Sequence, residues 1–105
     1  MIKPYSLHIA YVSWGIEGKL RPVLVLSSNK KEVTAFQITS QYENKSKAVQ
    51  AQYIPIDNWA EAGLSKKSYI NISKIIHLPT VAVKPAQIGK LSEEDLHKLL
   101  AAMSN

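Results

Sequence analysis

The chain has 105 residues, the size of one domain, and its 46% hydrophobic fraction argues for a packed core rather than disorder. It contains no cysteine, which excludes disulfides and cysteine-based zinc sites, and no apolar run approaches membrane-spanning length. The formal charge of +5 favours polyanionic partners, and twelve of the thirteen basic side chains are lysines, with Arg21 the lone arginine. The first residues, Met1-Ile2-Lys3-Pro4-Tyr5, offer no apolar stretch of signal-peptide length, so a cytoplasmic protein of one domain over residues 1–105 is expected.

In chain order, Leu7 to Trp14 is rich in β-formers and reads as a first strand, and Gly15-Ile16-Glu17-Gly18 supplies turn residues. Pro22 to Leu26 is a continuous apolar run too short for a helix, the pattern of a buried central strand. Ser27 to Lys31 interrupts it, and Glu32 to Thr39 resumes with β-branched and aromatic residues, so the two strands are expected to form a hairpin. Gln41 to Lys47 is polar and reads as an exposed, mobile loop. Val49 to Ile56 alternates and predicts a strand near a sheet edge, because Pro55 cannot donate to a ladder.

Asp57 is placed to cap a helical turn over Asn58 to Ala62, closed by Gly63, with Trp59 anchoring it. Ser68 to Leu78 and Ala86 to Lys90 read as further strands. Ser92 is a good N-cap, and Glu93, Glu94 and Asp95 put negative charge at the positive end of a helix dipole. Leu96, Leu99, Leu100 and Met103 then form the apolar face of that helix. Short strands followed by one helix predict a mainly β fold, a small barrel with the helix packed against it.

No Gly-rich phosphate loop, His-Glu-x-x-His or other metal-ligand spacing occurs, so neither metal nor cofactor is expected. All eight carboxylates are expected on the solvated surface, and His8, His77 and His97 are scattered along the chain. Two segments stand apart. In Gly18-Lys19-Leu20-Arg21-Pro22 a guanidinium sits where a turn enters a buried strand. In Gln37-Ile38-Thr39-Ser40-Gln41 hydroxyls and amides cluster where the third strand ends.

Together these segments resemble the MazF/PemK ribonuclease toxins. Gly18 to Ser27 is similar to the family's Gly-x-x-Arg-Pro-apolar-Ser signature, Ile38-Thr39-Ser40 to its second signature, and Ile88-Gly89-Lys90-Leu91-Ser92 with the following helix to its ending. Order and spacing agree from Leu7 to Met103. The resemblance implies an SH3-like barrel of the PemK/CcdB type, a homodimer, and the toxin of a type II toxin–antitoxin pair. Such a toxin cleaves single-stranded RNA selectively without a metal, is silenced by a small acidic antitoxin, and enters a DNA-binding complex with it. The catalytic pair carries over to Arg21 and Thr39.

A planar guanidinium suits phosphate oxygens, and a threonine hydroxyl can donate to the same oxygens. RNA contacts are expected from Trp14, Lys19, Ser40, Gln41, Tyr42 and Lys45, with the two aromatics stacking on bases. Lys30, Lys31 and Lys47 also flank the signatures. The sequence departs from the family at Asn71, Ser73 and Ile76, where charged residues are common, and in the short connection Gly15 to Lys19. Two other readings stay open on the same barrel. One is an inhibitor of a protein target, because a related toxin family with this fold poisons DNA gyrase; the other is a catalytically weakened RNA-binding relative.

Overall fold

The first three strands decide how the chain folds, because both of their faces are apolar and must be covered. In the computed structural model, which describes residues 2–104, β1 is Ser6–Trp14, β2 Glu17–Ser28 and β3 Glu32–Thr39. A helical turn α1 (Lys47–Gln50) follows, then β4 (Tyr53–Ile56), β5 (Ser68–Asn71), β6 (Ile76–Pro79), β7 (Val83–Lys90) and helix α2 (Glu93–Met103). The sheet runs β4-β5-β3-β2-β1-β7, with β6 pairing β3 beside β5, and every pairing is antiparallel. One face, with Leu7, Leu24, Phe36 and Ile38, packs against Ile54, Ile56, Ile70 and Leu99 of α2. The opposite face, with Ala10, Val12, Val23, Val25, Val33 and Ala35, is covered by Leu78 and Val83. Burial on both faces is why Pro22 to Leu26 lacks alternation.

The fold is mainly β and barrel-like, as expected, but the barrel is not closed by hydrogen bonds: β4 and β7 end the sheet without pairing each other. The gap is filled by backbone. Gly63, at φ +90°, lies against the Ile88 carbonyl, and Gly89 lies against the Ala62 carbonyl; a Cβ on either would overlap those atoms. Only glycine permits main chains to approach this closely. That contact gives a physical reason for the glycine in the Ile88-Gly89-Lys90 segment.

Three strand expectations are corrected. β2 begins at Glu17 because its first residues pair with β1 out to Trp14. Of Val49 to Ile56, only Tyr53–Ile56 is strand; the Ser46 hydroxyl accepts from the Val49 N–H at 3.3 Å and starts the α1 turn instead. Ser68 to Leu78 is split, since the β3 register jumps from Ile38↔Ile70 to Ala35↔Ile76 across a turn at Ile72-Ser73. The edge position of Pro55 agrees with expectation, β4 being the last strand.

The C-terminal helix starts where expected, with the Ser92 hydroxyl accepting from the Asp95 N–H at 3.2 Å. Its inward face differs. Leu99 is buried, but Leu100 and Met103 are exposed, and the buried neighbour of Leu99 is Asp95, at 1% exposure. The Asp95 carboxylate accepts from the Asp57 N–H at 3.1 Å and the Asn58 N–H at 2.9 Å. Asp57 is therefore capped rather than capping, and the expectation that every carboxylate is solvated fails here. Lys98 donates to the Pro55 carbonyl at 2.9 Å and to Asp57 at 2.7 Å, and its ammonium lies 3.3 Å from Asp95. Burial pulls the Lys98 pKa down, but hydrogen bonds and charge from Asp57 and Asp95 outweigh it, leaving it above the ordinary lysine value.

Candidate active site

The geometry of the site begins at the β1–β2 hairpin. Its two-residue turn is Gly15-Ile16, with positive φ at Gly15 (+60°) and not at Ile16, the pattern of a type II′ turn. The turn is too short to arch over anything, so the strands project past the barrel with Trp14 at the tip, 44% exposed. Below it, the Tyr11 ring lies over Gly18, where a Cβ would overlap the ring. Ala10 faces Arg21 across the ladder, and Arg21 shares its face of β2 with the buried Val23 and Val25. The guanidinium thus emerges where this apolar face ends, half-buried, with its carbon 5.5 Å from the Trp14 ring centroid. Cation–π contact of this kind holds an arginine without neutralising it. Among the described residues no carboxylate is within ion-pair distance of it.

Thr39 arrives from β3. Val23 pairs with Gln37 as the last bonded pair between β2 and β3, and beyond it Thr39 pairs with Tyr69 of β5, so β3 ends near the point where β2 carries Arg21. The Thr39 hydroxyl accepts from the Gln41 N–H at 3.0 Å, which fixes the oxygen and leaves its proton free to donate. Arg21 and Thr39 line one groove of about 260 Å³ together with Ser40, Gln41, Leu64 and Lys66. None of its lining residues is acidic.

Lys66 has no assigned role in the sequence reading. It comes from the loop that follows Gly63, where the buried Ser68 donates to the Lys66 carbonyl at 2.8 Å and so fixes the main chain beside the groove. Its neighbour Lys67 is placed 5.8 Å from the Tyr69 ring centroid and is not part of the groove lining. The signal available in the sequence was Ser65-Lys66-Lys67-Ser68, a basic pair between small hydroxyl residues just after a helix-stop glycine.

The remaining candidates fall in different places. Lys19 is exposed and sits two residues before Arg21 on the same strand face. Tyr42 is stacked on Tyr69, with centroids 4.1 Å apart and planes within 5°, and lies 6.2 Å from Tyr53. Its carbonyl accepts from Lys45 N–H and from the Gln50 side chain, both at 2.9 Å, so the Gln41 to Lys47 segment carries its own hydrogen bonds. Neither Tyr42 nor Lys45 lines the groove. Asn71 and Ser73 are used structurally: the Asn71 amide oxygen accepts from the Ser73 N–H at 3.0 Å and its hydroxyl at 2.5 Å, closing the turn between β5 and β6. Ile76 packs half-buried against the second apolar face.

His8 is buried between Ser6 and the Lys84 carbonyl, at 3.0 and 2.8 Å. His77 meets Glu32 at 3.2 Å. Among the described residues no three His, Asp or Glu side chains gather as metal ligands.

The sequence model described as "PemK-like, MazF-like toxin of type II toxin-antitoxin system" matches residues 6–105. Among solved structures, the Mycobacterium tuberculosis toxin MazF-mt6 superposes with a TM-score of 0.72 at 27% identity, covering 95% of this chain and 93% of that one. An endoribonuclease in complex with its cognate antitoxin, from a mycobacterial species, gives 0.63 at 14% identity, covering 97% of this chain and 89% of that one. The second likeness speaks to fold alone. No curated protein sequence matches the chain.

Proposed function

This chain belongs to the PemK-like, MazF-like toxins of type II toxin–antitoxin systems, and from that premise we propose that it is a metal-independent endoribonuclease acting on single-stranded RNA. The observation that carries the reading is that Arg21 and Thr39 line one acid-free groove. In the reaction the substrate's own 2′-oxygen attacks the adjacent phosphorus, the bond to the 5′-oxygen breaks, and one proton leaves the 2′-hydroxyl while another reaches the departing oxygen. The products are a 2′,3′-cyclic phosphate and a 5′-hydroxyl. Charge accumulates on the non-bridging oxygens as the 2′-oxygen adds. Arg21, positively charged at every working pH, and the Thr39 proton stabilise it. Lys66 and Lys19 add positive potential along the path of the strand.

The partner that silences the enzyme is a small acidic antitoxin segment, which competes for the same basic groove. The assembly is a homodimer, readable by light scattering. A gyrase-type protein target needs neither Arg21 nor Thr39, and nothing in the groove favours it.

Digestion of a long RNA in EDTA, with the new 5′ ends mapped, tests the reading. Discrete cuts bearing 5′-hydroxyl ends are expected. A substrate with a 2′-deoxy residue at the cut site lacks the nucleophile and stays intact. Cleavage of that substrate, or loss of all activity in EDTA, would overturn the mechanism.

A further inference from the structure

We infer that a second cavity beside Trp14 is a nucleobase subsite, in which Gln37 reads the edge of one unpaired base next to the scissile phosphate. The inference rests on the endoribonuclease reading and adds a recognition element to it. The cavity has a volume of about 480 Å³ and is lined by Trp14, Gln37, Lys74, Ile75, Ile76 and His77, among others. That size lies within the ~300–1,000 Å³ of ordinary ligand sites. Its lining contains no carboxylate, so a polyanion is not repelled.

Three features fit a base. First, Trp14 borders this cavity and also lies 5.5 Å from the Arg21 guanidinium, which belongs to the phosphate groove. The two concavities therefore meet at one contact, as the phosphate and base of a single nucleotide do. Second, Gln37 and Thr39 stand two residues apart on the same face of β3, a spacing of about 6.6 Å along a strand. With a phosphate at Thr39, that is the reach of the same nucleotide to its base. Third, the chemistry is complementary. An indole offers a stacking face, and a carboxamide offers a donor beside an acceptor, the pattern that every base edge can meet. Among the described residues no protein group holds the Gln37 amide, although its neighbours on this face of β3, Val33 and Ala35, are buried apolar residues of the core.

The test maps cleavage of one long RNA by the wild type and by Gln37→Leu, which keeps the bulk and removes the amide. The wild type is expected to show a base preference at one position flanking the cut. Gln37→Leu is expected to lose about 10-fold of that preference while still cutting. Trp14→Ala is expected to weaken binding of every single-stranded RNA by about 10-fold, with Trp14→Phe largely restoring it. A second measurement needs no variant: in an RNA made uncleavable by a 2′-deoxy residue at the cut, an abasic residue at the preferred position lowers wild-type affinity by about 10-fold. Unchanged preferences in a Gln37→Leu protein that still cuts, or no loss with the abasic RNA, overturn the subsite alone. Absence of any cutting by the wild type sinks the enzyme reading instead.

Discussion

Two regions of this molecule use polar groups in opposite ways. At the seam between α2 and the turn after β4, Ser92, Asp95, Asn58 and Lys98 bond to one another and to main chain, with Asp95 fully buried. At the rim, Arg21, Thr39 and Lys66 line an open groove, and their charges and donor proton point at no acid of the protein. No buried side-chain nitrogen or oxygen among the described residues lacks a partner, so the open valences lie at the surface. The seam holds the fold; the rim is arranged for a ligand that brings its own oxygens. Mutations at the two places should therefore separate stability from activity.

The largest effect is expected at the rim. Arg21→Ala should lower kcat by about 10²- to 10³-fold with the melting temperature almost unchanged, measured by cleavage of a defined oligonucleotide and a thermal scan. A large drop in melting temperature would show that Arg21 serves the fold and erase the contrast.

At the seam, Asp95→Ala strands two main-chain donors and should cost about 2–3 kcal/mol. For a domain of this size that is roughly 10 °C in melting temperature, with activity per folded molecule retained. If activity fell with stability intact, the seam would have to be counted as part of the site.

Smaller and sharper is Lys66→Ala. Binding of uncleavable RNA should lose about 0.7 from the slope of log affinity against log salt, as one phosphate contact is removed. Lys67→Ala should lose less, because that ammonium is directed to the Tyr69 ring. Equal losses would mean that both lysines act only as diffuse charge.

The smallest effect is the pH response of the seam. Because the Lys98 pKa is raised on folding, its contribution is complete below the ordinary lysine value of 10.5 and disappears as pH climbs through the folded value. Stability should therefore hold through neutral and mildly alkaline pH, then decline at strongly alkaline pH, and Lys98→Met should lack that last decline. Denaturant midpoints across the range give the comparison.

The rim was more legible in the sequence than the seam. Arg21 and Thr39 sit on strands whose apolar pattern fixes their faces, so position along the chain was enough to bring them together. β3 ends where its β-formers end, at Thr39. The seam was misread because a buried carboxylate is recognised only by its partners, and Asp57 and Asn58 lie 38 and 37 residues away from Asp95 in the chain. The apolar face assigned to α2 was right at Leu96 and Leu99 and wrong at Leu100 and Met103 for the same reason, since Asp95 is satisfied inside and takes the place expected of an apolar residue. Val49 to Ile56 failed because alternation by chance competes with a local cap at Ser46, and the cap won. Lys66 was missed because the basic pair between Ser65 and Ser68 marks a polar loop but does not show that the loop returns to the end of β3.

The open barrel has one further consequence. A sheet that does not close leaves free strand edges where it ends, at β4 and β7, each a template on which another chain can add and begin to aggregate. Here both edges are interrupted. On β4, Pro55 has no N–H to offer, and its carbonyl is already taken by Lys98. On β7, the main chain at Ile88 and Gly89 is pressed against Ala62 and Gly63, leaving no room for an incoming strand at that end. The glycines and the lysine that stand in for missing ladder bonds thus also shorten the stretch of β4 and β7 on which another copy could add.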